Sequence, residues 1–103
     1  MNTERKLVLM ALAGITEQFI MASGLGSHYR TAGLRIFNNS IDCFIKIEPS
    51  EYAKVLTVED VIHVRSVISS LTNIPIIDRY MDDIMDPMIK IRNHLDRILS
   101  LYT

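Results

Sequence analysis

Nine apolar residues spaced alternately three and four apart run through the C-terminal end of the chain: Ile74, Ile77, Met81, Ile84, Met88, Ile91, Leu95, Ile98 and Tyr102. A repeat averaging 3.5 residues keeps every member on one side of an α-helix. The stretch is therefore predicted to be helical and to press one long ridge against a partner surface. Pro87 interrupts it. Inside a helix a proline removes one hydrogen bond and crowds the preceding turn, costing roughly 3 kcal/mol, and Asp86-Pro87 is also a good cap and first-turn pair for a new helix. The spacing nevertheless passes through Pro87 without a slip, which favours one kinked helix over two separate ones. The ridge needs either another helix of the chain or a second subunit. The expectation is an oligomer interface built from Ile77, Met81, Ile84, Met88, Ile91, Leu95, Ile98 and Tyr102, with a dimer as default because two-fold closure is commonest.

The N-terminal segment reads as a second long helix, Thr3 to Ser23, with Glu4 in its first turn where the helix dipole favours an anion. Val8, Leu12, Ile15, Phe19 and Ala22 follow the same three/four spacing, and Leu9, Ile20 and Met21 widen the stripe. A helix this apolar is expected to be mostly buried. Arg5 and Lys6 before the run Leu7 to Ile15, with Ala11-Leu12-Ala13 as a cleavage pattern, give it a superficial likeness to an export signal. Cleavage there leaves an apolar core shorter than the roughly 7 residues such a signal needs. Glu17 and Gln18 count against a membrane span. The expectation is a cytoplasmic protein, with export as the alternative.

In the middle, Ile41, Cys43, Ile45 and Ile47 alternate with Asp42, Phe44, Lys46 and Glu48. Period two with β-branched residues on one face predicts a half-buried strand. Leu34-Arg35-Ile36-Phe37 precedes it across Asn38-Asn39-Ser40, whose asparagines suit a tight connection, so a short antiparallel hairpin is expected with Cys43 on its inward face. Tyr52 to Leu56 fits either a third strand or a helical turn. Thr57-Val58-Glu59-Asp60 then starts a helix running to about Leu71, with Thr57 as cap and Asp60 in the capping-box position. Val58, Val61, Ile62, Val64, Val67, Ile68 and Leu71 are expected inside, and Glu59 and His63 on the polar face as a weak pair. The fold class expected is mainly helical α+β: N-terminal helix, hairpin, then two or three C-terminal helices. An all-α bundle is the alternative.

Candidate binding chemistry is concentrated in two places. Three of the four glycines fall between Gly24 and Gly33, around Ser27, His28, Tyr29, Arg30 and Thr31. Gly24 suits a left-handed helix end. The hydroxyls and the cationic fork of Arg30 fit a small anion of nucleotide type. The segment is neither a dinucleotide fingerprint nor a phosphate loop, since Tyr29 replaces the third glycine and no Gly-Lys-Ser/Thr follows. Asp78, Asp82 and Asp86, four residues apart, form an acidic stripe suited to a basic partner surface. His28, His63 and His94 are not at metal-ligand spacings, so neither a metal nor a cofactor is expected.

Composition narrows the rest. Leu, Ile, Val and Phe occupy 34 of 103 positions, enough for a single globular domain over 1–103. A net charge of −1 and a pI near 6.3 lack the basic surface that nucleic acid or an anionic membrane demands. One cysteine excludes an internal disulfide and points to a reducing compartment. The expected function is a small non-enzymatic regulatory protein that self-associates through its C-terminal helices and binds another protein. The alternative is a small-anion binder using the glycine segment.

Overall fold

Local chemistry marks the start of three of the helices. Asn2 accepts from the backbone N–H groups of Glu4 (2.8 Å) and Arg5 (3.3 Å), opening α1 (Thr3–Ser23). Pro49 opens the single-turn α3 (Pro49–Ala53), so Tyr52 lies on a helical turn rather than a strand. Thr57 and Asp60 form a reciprocal capping box at the start of α4 (Val58–Thr72), with bonds of 3.0 and 3.1 Å. The computed structural model describes residues 2–26, 28–73 and 79–102. It is completed by α2 (Arg30–Ile45) and α5 (Arg79–Leu99).

The hairpin expected over Leu34–Phe37 and Ile41–Ile47 is overturned. Residues 30–45 form one helix, and there is no strand among the described residues, so the all-α arrangement holds. The segment carries two periods at once. Its alternation begins only at Ile41, whereas Leu34, Phe37, Ile41 and Phe44 are spaced 3, 4, 3 across its whole length. A two-stranded hairpin without a third strand is marginal in water. A helix closes its own backbone bonds and buries Phe37, Ile41 and Phe44 together against α1 and α5. The asparagine and serine meant for the turn fit inside it: Asn38 Nδ2 donates to the Leu34 carbonyl (3.0 Å) and Ser40 Oγ to that of Ile36 (3.2 Å). Cys43 consequently points outward and is exposed, not buried among isoleucines.

α5 is the centre of the molecule and packs against all four other helices. It runs unbroken through Pro87, itself buried, so the continuous reading of the segment stands and the split one does not. Met81, Ile84, Met88, Ile91, Leu95 and Ile98 all enter the core, joined from α1 by Leu12, Ile15 and Phe19 and from α4 by Val61 and Ile68. Ile62 and Val67, expected inside, are exposed on the outer face of α4. Gly24 ends α1 with φ −96°, so the expected left-handed cap does not occur.

Tyrosine hydroxyls satisfy carbonyls that helix ends leave without an in-helix partner. Tyr80 donates to Ala22 (2.8 Å) at the end of α1, Tyr52 to Phe44 (2.6 Å) at the end of α2, and Tyr102 to Leu56 (2.7 Å) after α3. Arg5 ties α1 to α4 by a bidentate bond to Asp60, 2.7 and 2.8 Å, made to the same carboxylate that caps α4. The Arg5 guanidinium and the capping bonds hold the Asp60 carboxyl well below its usual range.

Candidate interaction site

α1 carries two stripes, the second interrupted by Gln18, and among the described residues only the first is covered. Val8, Leu12, Ile15, Phe19 and Ala22 face the core. One residue earlier in each step, Leu7, Ala11, Gly14, Gln18 and Met21 make a second row at the same 4, 3, 4, 3 spacing. α2 repeats the arrangement. Phe37, Ile41 and Phe44 face inward, while Ile36, Ser40, Cys43 and Ile47 continue a row beside them. The two outer rows line opposite walls of an open groove of about 670 Å³, closed at one end by Tyr52, and a smaller hollow of about 170 Å³ extends it past Gln18 to Leu25 and Gly33. Leu7 is 61% exposed, Ile36 61% and Met21 71%, so the apolar side chains that rim the groove stand in solvent. The expectation that α1 is mostly buried fails for this reason: an all-round apolar helix needs cover on more than one side, and α2, α4 and α5 cover one. By length and composition α1 is the one described helix able to cross a membrane, and 22% of its most apolar window is buried within the chain.

Two groups in the groove are unexplained by the fold of a single chain. Gly14 sits in mid-helix, where glycine costs about 1 kcal/mol relative to alanine, yet a Cβ added there meets no atom within 4 Å. Gln18 Oε1 is buried with no hydrogen-bond donor.

The residues expected to form sites are dispersed. The ridge Met81, Ile84, Met88, Ile91, Leu95 and Ile98 is used inside the chain's own core, and Tyr102 is half-buried there; Ile77 lies outside the described residues. Side chains with no exposed surface have nothing to offer a second subunit. In the glycine segment, His28, Tyr29 and Thr31 are exposed and Ser27 lies outside the described residues. Arg30 is engaged: its Nε donates to the Leu25 carbonyl (3.3 Å) and its guanidinium lies 4.5 Å from the centre of the Tyr80 ring. That stacking fastens the α1–α2 connection to α5 and gives the cation a structural role. Asp82 and Asp86 are exposed on α5, and Asp78 lies outside the described residues. Glu59 and His63 are both exposed. Among the described residues no group of three His, Cys, Asp or Glu side chains is placed to hold a metal ion.

His94 was legible only as a histidine without metal spacing. It is the buried polar side chain of the core, at 4% exposure, standing edge-on to the stacked rings of Phe44 and Tyr52. Its Nε2 donates to the Ile47 carbonyl at 3.0 Å. Burial lowers its pKa, with the nearby Arg97 charge acting in the same direction, so the ring is held neutral. Burial likewise pushes Tyr52 up to about 12. Ile45, Glu48, Pro49, Lys90, Asn93 and Arg97 surround His94 in a second, polar cleft of about 410 Å³. The spacing of Lys90, His94 and Arg97 along α5 was the available signal, masked by the stronger apolar repeat beside it.

No protein-family model matches this chain, and no curated protein or solved structure is similar to it.

Proposed function

We propose that this chain is a small non-enzymatic interaction protein that works through the open groove between α1 and α2. The observation that carries the reading is the second apolar row on each helix, exposed along a groove that no other described helix covers. Exposed apolar patches of this continuity mark binding surfaces in soluble proteins. Self-association remains part of the reading. Its surface moves from the C-terminal ridge, whose side chains are inside, to the α1/α2 face. Arg30 has partners within the chain, so the anion-binding alternative receives no support from its most specific side chain.

The test uses 1-anilinonaphthalene-8-sulfonate, which fluoresces on apolar surface, at low protein concentration and with cooperative unfolding confirmed. The native protein is expected to bind it saturably, and Leu7→Glu with Ile36→Glu to abolish that binding without changing the far-UV spectrum. Absence of native-state binding, or binding indifferent to both substitutions, overturns the reading.

A further inference from the structure

Resting on that reading, we infer that the occupant of the α1/α2 face is a second copy of the same chain, packed antiparallel across a two-fold axis at the level of Ala11, Gly14, Ser40 and Cys43. Shape is the first argument. The outer row of α1 is large at its ends, Leu7 and Met21, and small in the middle, Ala11 and Gly14. On α2, Ile36 precedes Ser40 and Cys43, and Ile47, just past the end of the helix, follows them. The two small centres stand at one height. α1 and α2 run antiparallel with the Phe19 and Phe37 rings 6.1 Å apart, and moving back along α1 to Gly14 and Ala11 advances along α2 to the Ser40–Cys43 turn. A face low in its middle and high at both ends fits its own copy turned by 180°, because helices that cross approach most closely where side chains are small.

Gly14 supports the same contact. The chain's own packing leaves open space where its Cβ belongs, so the glycine serves no internal close approach. A helix backbone arriving from outside supplies one.

Charge is the third argument. An axis between Ala11 and Gly14 brings residue 17 of one copy level with residue 8 of the other, about 3 Å along the helix from residue 6. Glu17 and Lys6 are exposed on the same side of the stripe, and an antiparallel two-fold keeps that side in common, so each Glu17 meets Lys6 of the partner subunit. The pair forms twice, with opposite signs at both meetings.

Sedimentation velocity of the full chain is expected to show a concentration-dependent monomer–dimer equilibrium. Glu17→Lys should weaken the dimer at least several-fold, and adding Lys6→Glu should restore it, a rescue that a merely structural role does not produce. Gly14→Leu should weaken it at least tenfold while leaving thermal stability unchanged or raised. The native Cys43 lies near the proposed axis, so mild oxidation should give a disulfide-linked dimer, lost in Cys43→Ser. A chain that stays monomeric at 100 μM overturns the inference, as does a dimer indifferent to both Glu17→Lys and Gly14→Leu. A monomer that still binds the dye leaves the groove standing and removes only the second copy; a monomer that does not bind it removes both. Sedimentation of the monomer with phosphatidylcholine vesicles, abolished by Leu7→Glu, assigns the face to a lipid surface and likewise overturns the inference.

Discussion

α1 and α5 are both 21 residues long, and they meet the core in opposite ways. α5 is strongly two-sided. Its apolar residues, Ile89 apart, form one ridge that enters the bundle, and Asp82, Asp83, Asp86 and Asp96 remain in water. α1 is apolar over most of its circumference, and the bundle takes only the Leu12, Ile15, Phe19 and Ala22 side. A helix whose apolar width matches what its neighbours cover is a structural element. One whose apolar width exceeds that cover leaves a surface, and here the excess coincides with a groove.

Truncating one residue from each kind of stripe should have very different consequences. Ile91→Ala, at a fully buried position of α5, should lower the stability of the monomer by about 2–5 kcal/mol in urea unfolding. Leu7→Ala in the groove row should change it by less than about 0.5 kcal/mol. Equal effects would mean the two stripes are not differently used. Next in size is Tyr80→Phe, which leaves the Ala22 carbonyl without its hydroxyl donor and should cost about 1 kcal/mol. Gly14→Ala should act in the other direction, raising the stability of the dilute monomer by about 0.5–1 kcal/mol, because the helix gains propensity and the added methyl meets nothing.

The smallest effect is a pH dependence that belongs to α5 alone. The folded-state pKa of His94 lies below its unfolded value near 6.5, so the unfolded chain binds the proton first as pH falls. The stability contributed by neutral His94 is complete above about pH 6.5 and is lost as pH falls through the folded value. Urea midpoints should therefore decline from pH 7 toward pH 5, and His94→Gln should flatten that decline. Asp60 adds a separate loss at lower pH, since its carboxyl is held in the ionised form by Arg5.

Much of this architecture was readable from residues alone. Thr57 marks a helix start through a side-chain oxygen that reaches the backbone N–H three positions on, a purely local geometry. The α5 repeat was strong enough to carry the helix through Pro87. Residues 34–47 were not readable in the same way. Ile41, Cys43, Ile45 and Ile47 satisfy a strand period, while Leu34, Phe37, Ile41 and Phe44 satisfy a helix period, and isoleucine serves either. The choice fell to what lay opposite: α1 and α5 present a surface for Phe37, Ile41 and Phe44, and among the described residues no strand is present to extend a hairpin. The same decision moved Cys43 from the expected interior to the outer wall of the groove.

The amino-acid order determined where α1 and α4 begin and which side of α5 carries the ridge, because capping and periodicity act within a few residues. Tertiary structure decided which of the two rows on α1 is covered and that the C-terminal ridge is used within its own chain. It also decided that residues 34–45 coil rather than pair. Those outcomes depend on the free energy of burying one face against a particular neighbour, and the neighbour is distant in sequence.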